Sequence, residues 1–174
     1  LDGGPCALGL ESTVVNLVGP SPEILRPGAI TPDQLAKVLG QKPVFRQASQ
    51  KTHEAQSAPG QLVSHYAPRT PLYLCDSPIE TPAPESFHIL FRQSKQISTE
   101  RAIQLSPDSN LVSAARELYR ALRKADSSGS QRILVEPVPN GAWADAIRDR
   151  LNRASSGTAS WDGRVWRFFP KTDL

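Results

Sequence analysis

Three short clusters in this chain bring together side chains able to bind a polar ligand. Ser12-Thr13 sets a hydroxyl pair directly after Gly9-Leu10-Glu11, where backbone and side-chain donors could face a small substrate and a hydroxyl could hold an amino-acid group. Arg26 ends the run Glu23-Ile24-Leu25 and is followed at once by Pro27-Gly28. A guanidinium suits phosphate or carboxylate, and the turn beside it lets a ligand approach the backbone. His65-Tyr66-Ala67-Pro68 adds a donor or acceptor that works near neutral pH and a flat ring carrying a hydroxyl. Taken singly, each is ordinary: strand hydroxyls are usually satisfied by backbone, and a lone Arg usually lies at the surface. Their density in one segment, at strand ends beside turns, points to a site.

The elements that must position them follow from patterning. Within Leu10–Val18 the run Ser12-Thr13-Val14-Val15, rich in β-branched residues, reads as a strand, and Glu23–Arg26 as a second. Pro32–Leu39 reads as a helix with Thr31 as N-cap, Pro32 at the first position, Leu35, Val38 and Leu39 on one face, and Gly40 ending it. From Gln41 to Thr70 bulky apolar residues are few, as in a long connection between domains. Beyond Pro71 the pattern is that of an α/β domain. Leu72–Cys75, Phe87–Phe91, Ala102–Leu105 and Arg132–Val135 read as buried strands. Asn110–Ala125, capped by Asp108 or Ser109, and Ala142–Ser155, stopped by Gly157, read as amphipathic helices, the second supported by an Asp149–Arg153 pair. Strand alternating with helix predicts a mainly parallel sheet in a small Rossmann-like α/β/α domain. The Gly-x-Gly-x-x-Gly fingerprint is absent, so dinucleotide binding is not indicated. Trp161, Trp166, Phe168 and Phe169 read as core or interdomain packing rather than a base-stacking platform.

Composition narrows the class. The chain has 174 residues, 16 of them Pro, and a net charge of +3, a mild excess that suits contact with ATP or RNA without demanding it. Arg116, Arg120, Arg123 and Lys124 fill the outer side of the first long helix and read as a solvated face. Cys6 and Cys75 lie far apart with no partners at metal-ligand spacing, so each reads as a small buried apolar residue and no metal site is expected. No signal peptide and no apolar run near the roughly 20 residues of a membrane helix is visible, which leads us to expect a cytoplasmic protein. The opening Leu1-Asp2-Gly3-Gly4 and the lack of Met read as the interior of a fold, hence as the C-terminal portion of a longer protein.

Two motifs make this specific. Gly3-Gly4-Pro5-Cys6, Gly9, Glu11-Ser12-Thr13-Val14-Val15, then Ile24-Leu25-Arg26-Pro27-Gly28-Ala29-Ile30-Thr31 resembles the end of the YrdC-like domain of threonylcarbamoyl-adenylate synthases. Pro59-Gly60 followed by His65-Tyr66-Ala67-Pro68 resembles the linker of the two-domain members of that family. The resemblance is strong up to Pro68 and weak after it. It implies a layout of 1–40 as the end of a YrdC-like domain, 41–70 as linker and 71–174 as the Rossmann-like domain. It also implies a protein that makes threonylcarbamoyl-adenylate from threonine, bicarbonate and ATP with release of pyrophosphate, feeding a tRNA-modifying transferase complex. By the same resemblance Ser12 would bind threonine, Arg26 would bind ATP, Tyr66 and His65 would reach over the nucleotide from the linker, and Mg²⁺ would accompany ATP. The family's Lys- and Arg-bearing triphosphate segment and its Ser-x-Asn motif would precede these residues, so the fragment alone is expected to be inactive. The rival from another class is a non-catalytic nucleotide- or RNA-binding module. A carbamoyltransferase of the hydrogenase-maturation type is a further alternative, but it would bring zinc-finger cysteines and no His-Tyr-Ala-Pro linker.

Overall fold

The computed structural model describes residues 8–46, 67–92, 96–106, 108 and 110–171. Three strands near the start, β1 (Val14–Asn16), β2 (Glu23–Arg26) and β3 (Val44–Phe45), form one small sheet in the order β1-β2-β3. β1 runs antiparallel to β2, with a register shift between Val14 and Val15, and β3 runs parallel to β2. Between β2 and β3 lies α1 (Pro32–Leu39). It begins where its sequence says it should: Thr31 Oγ1 accepts from the Gln34 amide, Gln34 answers through the Thr31 amide, and Gly40 at φ 74° closes the C-terminus. The strand β3 was not expected, since its two residues sit in a stretch whose composition reads as connection. They pair because the amides of Val44 and Arg46 find the carbonyls of Pro22 and Ile24.

The second sheet has six strands in the order β6-β5-β7-β4-β8-β9, built from β4 (Leu72–Cys75), β5 (Ser86–Leu90), β6 (Ala102–Gln104), β7 (Arg132–Val135), β8 (Gly157–Trp161) and β9 (Trp166–Pro170). All neighbours are parallel except β8 and β9, so the protein is α/β with a mainly parallel sheet. α2 (Leu111–Asp126) and α3 (Ala144–Ala154) cover one face, burying Leu118, Leu122, Ile147 and Leu151 against Phe87, Ile89, Ile133 and Val135. Strand alternation sends Cys75, Leu90 and Leu134 to the opposite face. Where an α/β/α arrangement is expected, the described residues place both long helices on one side and cover the other with Ile79, Ala83 and Ile97 from connecting segments. Glu136, buried just beyond β7, fastens that cover by accepting from the amides of Ile79 at 3.0 Å and Phe91 at 2.8 Å. No helix among the described residues is long and apolar enough to cross a membrane.

Some boundaries depart from the sequence reading. α2 is capped by Asn110, whose Oδ1 accepts from the Val112 amide at 2.8 Å, while Asp108 accepts from Ser106 Oγ instead. Gly157 does not stop α3; it opens β8, and a Cβ there would lie 2.1 Å from the Phe169 carbonyl oxygen. The β8–β9 hairpin was missed altogether, although Asp162-Gly163 marks its turn. Asp162 accepts from the amides of Arg164 and Val165 and from Arg167, and these contacts lower its pKa to about 2. Of the aromatic residues near the end, Trp166 and Phe168 are half-buried against the second face and Phe168 meets Tyr73 edge-on, whereas Phe169 is exposed. Cys75 is buried, and desolvation together with Asp76 and Glu136 pushes its thiol up to about 12, as befits a packing residue. Cys6 lies outside the described residues.

His88 sits on β5 with 2% exposure. Its Nε2 accepts from the Ala83 amide at 3.1 Å, so Nδ1 carries the proton and donates to the Arg101 carbonyl at 3.2 Å. Burial holds its pKa below the ordinary imidazole value, the Arg101 carbonyl opposing only in part. The folded state therefore keeps the ring neutral where the unfolded chain would protonate it. That contribution is complete above about pH 6.5 and is lost as the pH falls below it. Thermal melts of the chain should show a melting temperature falling from about pH 6.5 to 5, with a smaller fall in His88→Gln; equal slopes would refute this origin.

Candidate functional site

The segment from Gly9 to Thr13 meets the turn at Pro27-Gly28 through contacts that leave no room for larger residues. A Cβ on Gly28 would lie 2.4 Å from the Thr13 amide nitrogen and 2.5 Å from the Glu11 carbonyl oxygen. A Cβ on Gly9, whose φ is +67°, would lie 2.4 Å from Cα of Arg116 on α2. The two glycines thus bring the Glu-Ser-Thr run against the Arg-Pro-Gly turn on one side and against α2 on the other. Arg26 Nε donates to the Ser12 carbonyl at 3.1 Å. Thr13 Oγ1 donates to the Ile30 carbonyl at 2.8 Å and accepts from the Ile30 amide at 3.1 Å. Ser12 is exposed and Arg26 half-buried, so the two residues singled out from sequence are brought together at one surface.

Glu11, by contrast, turns inward. Its Oε1 accepts from the Tyr119 hydroxyl of α2 at 2.7 Å and its Oε2 from Arg150 Nε of α3 at 2.8 Å. Arg150 Nη1 reaches the Pro27 carbonyl at 2.9 Å and Asp149 Oδ2 at 2.8 Å, and Arg153 holds Asp149 in turn. The Arg150 side chain is only 1% exposed. Burial alone would lower its pKa, but the hydrogen bond and charge of Glu11, aided by Asp149, overcome this and raise it. Next to the turn, a cavity of about 310 Å³ opens between the small sheet and the start of α3, lined in part by Ile24, Gly28, Thr31, Phe45 and Trp143.

Sequence reasoning quoted Glu11 within a motif but gave it no role, and it missed Arg150 and Tyr119. A signal was present: Arg150 falls between Ile147 and Leu151 on the apolar stripe of α3, where a charge needs a partner. His65 and Tyr66 lie outside the described residues. Among the described residues no group of three or more His, Cys, Asp or Glu could hold a metal ion.

A mainly parallel α/β sheet whose helical layer grips a motif-bearing strand and turn defines the class of protein. A model of the family described as threonylcarbamoyl-AMP synthase, C-terminal domain, matches residues 30–156, and the chain belongs to that family. The threonylcarbamoyl-AMP synthase of Bacillus subtilis (strain 168) is 32% identical over 173 residues, covering 90% of this chain and 48% of that protein. That of Pyrococcus abyssi is 28% identical over 164 residues, with 89% and 48% covered. The crystal structure of P. abyssi Sua5 complexed with L-threonine matches with a TM-score of 0.75 at 28% identity, over 88% of this chain and 48% of that one. A P. abyssi Sua5 variant with an adjacent His-Tyr pair replaced by alanines matches with a TM-score of 0.72 at 27% identity, over 88% and 47%. The chain spans about half the length of the relatives it matches.

The tight approach at Gly28 makes a prediction that needs no ligand. Gly28→Ala should force the Pro27-Gly28 turn away from Glu11–Thr13 and destabilise the fold by about 1–3 kcal/mol, as other overpacked positions do, measured by urea unfolding. An unchanged midpoint would show that the two segments are not packed as described.

Proposed function

We propose that the intact protein carrying this chain makes threonylcarbamoyl-adenylate from threonine, bicarbonate and ATP, releasing pyrophosphate, in the route to threonylcarbamoyl-modified tRNA. The observation that carries the reading is the joining of Ser12 and Arg26 at one surface in a chain of this family. Relatives named threonylcarbamoyl-AMP synthase and a relative's structure with L-threonine support it. In this reading the Ser12 hydroxyl holds a polar group of threonine and the Arg26 guanidinium holds the nucleotide. Tyr66 and His65 reach over ATP from the linker, the same pair of residue types that is replaced in the P. abyssi variant. The chemistry is that of a nucleotidyltransferase: the carbamate oxygen attacks the α-phosphorus, and pyrophosphate leaves. Orientation of the reactants and neutralisation of phosphate charge supply the acceleration. Mg²⁺ enters with ATP, and the product passes to a tRNA-modifying transferase complex in the cytoplasm. The layout is 1–40 as the end of the catalytic domain, 41–70 as linker and 71–174 as the C-terminal domain.

The test is threonine- and bicarbonate-dependent pyrophosphate release from ATP by the intact protein. Ser12→Ala should raise the KM for threonine roughly tenfold or more, as expected for losing a hydrogen bond to a charged group, with the ATP dependence little changed. Arg26→Ala should weaken ATP binding at least as much, and Arg26→Lys should restore only part of it, because Lys cannot reproduce a planar two-point contact. Unchanged threonine KM in Ser12→Ala would remove that assignment. Lost thermal stability with intact ATP affinity in Arg26→Ala would make Arg26 a brace for the Ser12 carbonyl.

For the linker, amide exchange across residues 58–69 should slow when ATP and threonine are added, as expected of a lid that shields a labile carbamate and its adenylate from water. A His65→Ala, Tyr66→Ala double variant should lose most activity. Equal exchange in both conditions would count against the lid, and full activity in the double variant would take the pair out of the mechanism.

A further inference from the structure

We infer that Arg150, together with Tyr119, is a positioning residue that holds the segment bearing Ser12 and the strand end bearing Arg26 in register, so that the substrate site is set by the helical layer of the second sheet. The inference rests on the reading given under Proposed function. It starts from one planar group. Arg150 Nε holds the carboxylate of Glu11, the residue before Ser12, and Nη1 holds the carbonyl of Pro27, the residue after Arg26. The nitrogens of a guanidinium keep a fixed spacing, so these two contacts fix how far apart the two segments lie. Tyr119 takes the other oxygen of the same carboxylate, which stops Glu11 from rotating about the first contact. Asp149, itself held by Arg153, steadies the guanidinium from its own helix.

The Arg150 side chain is only 1% exposed, so it acts through Glu11 and the Pro27 carbonyl rather than on a substrate, and Tyr119 acts with it on the Glu11 carboxylate. Arg150 Nη2 is buried without a hydrogen-bond partner among the described residues. A fully buried cation with an unmet donor is a poor source of stability, which favours alignment as the reason for its presence. Alignment matters because a displacement of about 1 Å can cost roughly a hundredfold in rate.

The experiment uses the intact protein with Tyr119→Phe, Arg150→Lys and Arg150→Met. In Tyr119→Phe, with the circular dichroism spectrum unchanged, kcat/KM for threonine should fall by about five- to tenfold. The fall should be larger in Arg150→Lys, and Lys should recover little over Met. Combining Tyr119→Phe with Glu11→Gln should cost little more than Glu11→Gln alone, since the hydroxyl donates to that carboxylate. A merely structural role would lower the melting temperature and leave the kinetics of the folded protein untouched. Folded Tyr119→Phe with threonine kinetics within twofold of wild type would overturn the proposal, and that variant decides alone if the Arg150 variants do not fold. No threonine-dependent pyrophosphate release from the wild type would instead sink the synthase reading. The clamp is then judged by amide exchange at residues 10–13 and 28–30, several-fold faster in Tyr119→Phe if it holds and unchanged if it does not.

Discussion

A guanidinium withdrawn from water must be met by acceptors in the right plane, or its burial costs several kcal/mol. Arg150 is withdrawn almost completely, and two of its three acceptors lie over 120 residues away in sequence, on Glu11 and Pro27. Much of the arrangement follows from meeting that need. α3 must approach the first segment closely enough for Nε and Nη1 to reach it. The Glu-Ser-Thr run must present its carboxylate inward, which leaves the next residue, Ser12, facing solvent. Gly9 and Gly28 are then required, because the distances set by the ion pair bring backbone against backbone at both places.

The small sheet has little of its own to hold it. Among the described residues of 8–46, Ile24 is the one large aliphatic side chain fully buried, while Leu17, Val18, Val38, Val44 and Phe45 are exposed. A unit of this size cannot bury enough apolar surface to offset the entropy of ordering it. Leu10 packing on the main core, the glycine contacts and the Arg150 clamp tie it to a sheet that does have a core. The residues that could meet a substrate therefore sit on the less self-sufficient part, and their geometry is borrowed from the more stable one.

How much of this was legible in the sequence depended on the range of the interaction involved. Thr31, Pro32 and Gly40 act within a turn of their own position, so α1 was readable to the residue. The runs Leu72–Cys75 and Arg132–Val135 are apolar on both faces and were readable for the same reason. The β8–β9 hairpin was obscured because Gly157 serves as a helix stop as easily as a strand start, and only the close approach of Phe169 decides between them. The expected helix face of Leu35, Val38 and Leu39 exists as a pattern, yet Val38 stays exposed, since periodicity says which residues align and not what covers them. At the site, Ser12 and Arg26 were legible as motif members. Their mutual contact was not, because it runs from a side chain to a backbone carbonyl, which no residue type encodes.

Why the two parts are joined by a polar clamp rather than by more apolar packing follows from what each kind of contact specifies. Apolar side chains gain nearly the same free energy from many relative placements, so a greasy joint tolerates sliding of an ångström or more. A half-buried carboxylate gripped at both oxygens, by a hydroxyl and by a buried guanidinium that also grips a carbonyl, loses its partners on a comparable slide and leaves the buried cation unmet. The penalty is steep in displacement, and steepness is what alignment requires. A surface that joins the segment of Ser12 to the strand end at Arg26 needs that steepness more than it needs net stability, and this is the property that Arg150 and Tyr119 confer.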